Sequence, residues 1–338
     1  MLTKKRITLG VIVAVMLTKK RITLGVIVAV FIGVVATQRY NKPVTTKLGK
    51  ERAMQPAPPG MQTLLTGLGF GESPRWHDGR LWFSNWGKQE VVAVNPEGKS
   101  EVMVRVPSTM PFSIDWLPDG RLLIVSGPER LLLRQEPDGS LVTHADLGQL
   151  AEQNCNEIVV DGRGNAYVNG GGFDRPGQNA SGIIALVTPD GSVRQVADGI
   201  AFPNGMAVTP DNSTLIIAES FAKRLAAFDI AADGRLSNRR VWADLGDGVP
   251  DGICIDAENA VWYADTPNKR CVRVREGGEA LQMIDVDRGC FACMLGGAHK
   301  RTLFIMAAEW HGFEKMMAGL GTGQVLAVEA PASGVGWP

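Results

Sequence analysis

Beyond about residue 70 the chain repeats one figure: an apolar stretch, a tight turn of Asp-Gly type, then a short aliphatic or aromatic run. Six copies are legible, GESPRWHDGRLWF, FSIDWLPDGRLLI, NEIVVDGRGNAYV, NGMAVTPDNSTLII, DGICIDAENAVWY and CMLGGAHKRTLFI, with reference positions at Glu72, Phe112, Asn156, Asn204, Asp251 and Cys293. They recur roughly every 40 to 48 residues, the period of a four-stranded propeller blade. Inside each unit a second turn divides a second pair of strand-like runs, as in VVAVNPEGKSEVMV and LLLRQEPDGSLVTH, where Pro-Glu-Gly or Pro-Asp-Gly marks the bend. Hairpin followed by hairpin predicts four antiparallel strands per unit. Six units fill residues 61–338 and predict an all-β, six-bladed β-propeller. A doubly wound α/β fold would need amphipathic helices of ten or more residues between strands, and the connections are short and rich in turn formers. Closing a ring of blades also accounts for runs that are apolar on both faces.

The segment before the repeats follows a different logic. Residues 1–15 recur unchanged as residues 16–30, so Met1 and Met16 are both candidate starts. A basic Lys19-Lys20-Arg21 followed by a mostly apolar run from Ile22 to Thr37 predicts an export signal or a membrane-anchor helix within residues 1–37. Residues 38–60 are polar and basic, end in QPAPPG, and read as a tether. This places the repeat domain outside the cytoplasm, with a membrane contact wherever the segment is not cleaved.

Composition narrows the function classes. With 35 basic and 35 acidic side chains the charges cancel, which leaves no nucleic-acid footprint. The five cysteines form no pair of CxxC motifs and are expected to be buried thiols. No GxSxG elbow is present, and the four histidines show no dyad spacing, which argues against a nucleophilic triad. His311, with Glu309 and Trp310, is a candidate for the channel mouth.

Four of the six reference positions carry oxygen donors: Glu72, Asn156, Asn204 and Asp251. A ring of blades would converge them at one mouth of its channel, with two carboxylates and two carboxamides around open coordination positions. Calcium suits this all-oxygen set best, with magnesium, manganese and zinc as alternatives. Asn-Gly and Asp-Gly are also ordinary turn dipeptides. Turn geometry alone, however, would place similar residues at Phe112 and Cys293, where apolar or soft ones stand.

In these motifs, GESPRW, NEIVVDGRGNAYV, FPNGMAVTPD and VPDGICIDAENAVWYAD, the chain resembles the SMP-30/gluconolactonase/luciferin-regenerating-enzyme family from about Leu68 to the C-terminus. LSNRR at Leu236 to Arg240 and the segment Cys290 to Gly297 resemble the family's later blades. The resemblance implies a six-bladed propeller that hydrolyses a small-molecule lactone with one divalent cation, and a monomer is expected. It implies that Glu72, Asn204 and Asp251 ligate the cation and that Asn156 lies beside it, contacting substrate or a metal-bound water. Asp251 is implied as general base for water attack on a carbonyl polarised by the cation. Three positions depart from the family pattern: Asn156-Glu157 stands where Asn-Asp is frequent, Glu219-Ser220 where Asp-Ser is frequent, and Asn154 where sugar-lactone members carry an arginine. Asn154 is therefore a candidate substrate contact with altered selectivity. A non-catalytic propeller binding a small ligand or partner, and a hydrolase acting on phosphotriesters or other esters, remain open alternatives.

Overall fold

A computed structural model describes residues 60–150, 153–172 and 182–337. Its strands form six four-stranded antiparallel sheets. Blades I to V each use four consecutive strands, and their innermost strands are Gly71–His77, Phe112–Trp116, Cys155–Val160, Pro203–Val208 and Pro250–Ile255. Blade VI combines Gly289–Gly296, Thr302–Ala308 and Gly323–Glu329 with Gln62–Leu68, which supplies its outermost strand from the other end of the domain. This ring closure was not legible from the repeats, because Gln62–Leu68 precedes the first of them. Each innermost strand contacts the innermost strands of both neighbouring blades.

Burial follows position in the blade. Second strands such as Leu122–Ser126, Ala166–Gly170 and Val261–Asp265 are buried throughout, since each face packs on an adjacent blade. Outer strands such as Leu141–Asp146 and Ala280–Asp285 have exposed positions interspersed. The turns behave as the sequence predicts. Asp161 Oδ1 accepts hydrogen bonds from the Arg163 and Asn165 amides at 2.9 Å each. Asp256 Oδ1 does the same for Glu258 and Ala260 at 2.9 and 3.1 Å.

Five of the six innermost strands contain a register shift near the channel mouth, between Glu72 and Arg75, Cys155 and Ile158, Pro203 and Met206, Pro250 and Ile253, and Cys290 and Ala292. Such bulges re-aim a side chain out of the ladder. The strand of blade II pairs without a shift, and Phe112 is buried in the core between blades. Blade VI corrects the turn-based alignment. The Gly252 position abuts Ala292, so Phe291 and not Cys293 stands level with Asp251, while Cys293 lies deeper and its thiol approaches the Gly252 carbonyl at 3.7 Å. All five cysteines are free and buried.

The expected helix within residues 1–37 and the linker up to residue 59 lie outside the described residues. Among the described residues there are only 3-10 turns, and no helix is long and apolar enough to cross a membrane. At the opposite end of the channel the C-terminal segment lies across the innermost strands, bridging Trp337 to Val208 and Gly334 to Asp256.

Close approach of the innermost strands requires small residues. A Cβ at Gly205 would meet Gly252 Cα at 2.7 Å, and one at Gly252 would meet Ala292 Cβ at 2.5 Å. Gly252→Ala is therefore expected to lower stability by about 1–3 kcal/mol through overpacking. Urea unfolding would measure this, and an unchanged midpoint would mean that the strands separate freely.

Candidate active site

The bulged ends of the innermost strands surround a cavity of about 720 Å³. Glu72, Asn154, Asn156, Asn204 and Asp251 all line it, so the structure brings together every site residue expected from the sequence. Glu72, Asn156 and Asn204 are buried, Asp251 is partly so, and Asn154 is exposed at the rim. Trp310 also lines the cavity, whereas Glu309 and His311 form an exposed pair at 3.3 Å.

A repeated bond fixes where these strands begin. The residue just after the second strand of one blade donates a side-chain hydrogen bond to a carbonyl at the head of the next blade's innermost strand. Trp86 Nε1 reaches Phe112 O at 2.6 Å, Ser220 Oγ reaches Pro250 O at 2.7 Å and Thr266 Oγ1 reaches Cys290 O at 2.6 Å. The residue before each donor caps the loop entering its own blade. Asn85 Oδ1 accepts from the Gly69 amide at 2.8 Å, Glu219 Oε2 from Ala201 at 3.2 Å and Asp265 Oδ1 from Val249 at 3.1 Å. Glu219 is further clamped by Arg224 and by Arg239 of the LSNRR motif, at 3.1 and 2.9 Å. The Glu219-Ser220 departure thus leaves this capping role intact.

Further hydrogen bonds orient the candidate donors. Asn156 Nδ2 donates to Pro203 O at 3.3 Å and Asn204 Nδ2 to Ser220 Oγ at 3.4 Å, which leaves each Oδ1 as an acceptor. Asn169 Nδ2 holds the Asn204 carbonyl at 2.7 Å. Thr266 Oγ1 also contacts Asp251 Oδ2 at 2.9 Å.

Below the mouth lies charge that sequence reasoning missed. Glu157 lines the cavity floor, and buried Arg75 sits 3.8 Å from it and 3.6 Å from buried Asp115. Arg75 Nη2 also donates to Ile158 O at 2.5 Å, and Asp115 Oδ2 accepts from the Val160 amide at 2.8 Å. The available signal was a charged residue inside an innermost strand, in GESPRW, FSIDW and NEIVV. Asp115 and Glu157 thus share one buried guanidinium, while Glu72 and Asp251 above them have no cationic partner at their carboxylates among the described residues. Burial pushes Asp251 up to about 8, against hydrogen bonds from Thr266 and Asn204, and Glu157 adds repulsion. Burial likewise raises Glu157 to about 7 despite Arg75, and raises Glu72 together with repulsion from Asp251 and Glu157.

Among the described residues no three His, Cys, Asp or Glu side chains cluster closely enough to hold a metal by themselves. A donor set of Glu72, Asp251 and the two carboxamide oxygens does fit a hard cation, because it is all oxygen and carries carboxylate charge that the protein leaves uncompensated.

Residues 70–309 match the sequence profile of the SMP-30/Gluconolactonase/LRE-like region. The chain is 28% identical over 251 residues to regucalcin of Xenopus laevis, covering 71% of this chain and 83% of that protein. It is 29% identical over 163 residues to diisopropyl-fluorophosphatase of Loligo vulgaris, covering 44% of this chain and 52% of that enzyme. The solved structure of the calcium-binding protein regucalcin from Agrobacterium tumefaciens shares the fold with a TM-score of 0.66 at 21% identity, covering 82% of this chain and 96% of that one.

Raised carboxylate pKa values make the cation-free fold take up protons relative to the unfolded chain. The contribution of Glu157 and Asp251 to stability is full below the ordinary carboxylate range near pH 4 and is lost as pH rises through their folded values of about 7 and 8. In chelator, the melting temperature is therefore expected to fall between about pH 5 and pH 8, with a shallower fall in Asp251→Asn. Parallel profiles for the two proteins would remove Asp251 from this linkage.

Proposed function

Since the chain belongs to the SMP-30/gluconolactonase/LRE-like family, we propose that it is a divalent-cation-dependent hydrolase that opens the ester ring of a lactone. The observation that carries this reading is the convergence of Glu72, Asn156, Asn204 and Asp251 on one cavity whose floor has excess carboxylate charge. Glu72, Asn204 and Asp251 would hold the cation with Asn156 beside it, calcium being preferred and zinc, magnesium and manganese acceptable. Bound there, the cation would supply Lewis acidity toward the substrate carbonyl oxygen.

The chain's own groups account for the proton movements. Asp251, with Oδ2 fixed by the Thr266 hydroxyl, accepts a proton from water as the water oxygen bonds to the carbonyl carbon. The ring C–O bond then breaks, and Asp251 returns the proton to the departing alkoxide oxygen, giving a hydroxy acid. Asn156, held by Pro203 O, orients the water or the carbonyl through its free oxygen. Arg75 holds the Glu157 and Asp115 carboxylates beneath, so that the floor keeps its shape while charge shifts above it.

The substrate is a small molecule, and the basic-then-apolar residues 1–37 favour an exported or membrane-anchored setting. Phosphotriester hydrolysis is a second reading, favoured by the similarity to diisopropyl-fluorophosphatase over about half of that enzyme.

Calcium added to chelated protein is expected to raise the melting temperature, with the rise abolished in Asp251→Ala. In a lactone assay followed by acid release, Asp251→Asn is expected to lower kcat by about 10²- to 10⁴-fold while the fold is retained by circular dichroism. Undiminished turnover in that variant would exclude Asp251 as the base.

A further inference from the structure

Above its polar floor the cavity has walls of a different character. Phe70, Trp86, Phe291 and Trp310 form a continuous aromatic bank. Phe70 and Phe291 meet edge to face at 4.3 Å, Phe70 stacks on Trp86 at 6.2 Å, and Phe291 meets Trp310 at 5.7 Å. Across the mouth Phe202 and Phe221 pack edge to face at 4.7 Å, and Met110, Pro111, Val249 and Pro267 fill the gaps.

Polar groups of the walls are largely spent within the protein, and the open acceptors are those of Glu72, Asn156, Asn204 and Asp251 at the floor. The Trp86 indole N–H is committed to Phe112 O, the Ser220 hydroxyl to Pro250 O, and the Thr266 hydroxyl to Cys290 O and Asp251. Asn154 and Lys223 stand at the exposed rim. A polyhydroxylated ring would surrender its water to walls that return few hydrogen bonds, leaving hydroxyls unpaired at a desolvation cost. The volume, about 720 Å³, lies in the range that holds drug-sized ligands and far exceeds one lactone ring.

Resting on the hydrolase reading above, we infer that this chain acts on lactones or esters carrying a large apolar substituent, an alkyl chain or aryl group seated against the Phe70–Trp86–Phe291 bank and the Phe202–Phe221 pair, and not on sugar lactones. Phe221 sets this preference from the 3-10 turn Ser220–Ala222, where its ring is only half-buried and can be truncated with little effect on the core. The floor groups attack the ester carbon, and the walls select what is attached to it.

The test compares kcat/KM of the calcium-loaded protein on δ-undecalactone, dihydrocoumarin, δ-valerolactone and glucono-δ-lactone. It also measures tryptophan fluorescence quenching by an alkyl-substituted δ-lactam and by gluconolactam, neither of which reports turnover. The expected result is a preference of at least about 100-fold for the alkyl or aryl lactone over glucono-δ-lactone, with Phe221→Ala reducing the undecalactone-to-valerolactone ratio about tenfold. Hydrolysis of glucono-δ-lactone equal to or better than the apolar substrates would overturn the inference and leave the lactonase reading standing. If no lactone is hydrolysed with calcium, zinc, magnesium or manganese, the hydrolase reading fails, and the lactams decide the cavity's preference. Tighter quenching by the alkyl lactam sustains an apolar ligand class, and equal or weaker quenching overturns it.

Discussion

The arrangement of the site depends on one hydrogen bond repeated at three of the six blade junctions, from a side chain just past the second strand of a blade to a carbonyl at the head of the next blade's innermost strand. Each bond ties the height of one blade to its neighbour. The donors differ, Trp86, Ser220 and Thr266, but the acceptor is always the backbone, so the geometry survives changes of side chain. A shift of one residue in any blade would turn its functional side chain away from the mouth. With the heads level, the local bulges lift Glu72, Asn156, Asn204 and Asp251 out of their ladders and toward a common space.

Electrostatics then gives that space its chemistry. Removing one partner of a buried ion pair is strongly destabilising, which is why Arg75, reaching from blade I to Asp115 of blade II and Glu157 of blade III, is central to the floor. One guanidinium cannot balance four carboxylates. The excess favours either protons, as in the raised pKa values of Glu72, Glu157 and Asp251, or a cation, and the two compete for the same oxygens. In the proposed hydrolase the acidic floor faces the ester and the aromatic wall its substituent, so reaction type and selectivity rest on separate residues.

How much of this was legible varied by residue. The blades, their turns and the four oxygen donors could be read because each rests on a local pattern: apolar runs of strand length, Asp-Gly bends, and a donor at the same distance from each bend. The alignment failed at Cys293, where blade VI carries one more residue before its turn and the level position is Phe291. Arg75 and Asp115 were passed over, and Glu157 was noted only as a departure from the family pattern, because a charge inside an apolar run shows its role only when a partner from another blade stands opposite. Glu219 reads as an altered functional residue in sequence, yet it caps Ala201 and pairs with two arginines. Asn154 does reach the rim of the cavity, as a neutral amide.

Sequence alone determined the repeat, the strand content, the all-oxygen character of the candidate site and the family, since these follow from periodicity and side-chain chemistry within a few residues of one another. Tertiary structure decided the rest: the closing strand Gln62–Leu68 in blade VI, the Arg75 network, the commitment of Trp86, Ser220 and Thr266 to backbone carbonyls, and the aromatic bank over the acidic floor. These features join residues tens to hundreds of positions apart, and a linear pattern does not record which distant groups a closed ring will press together.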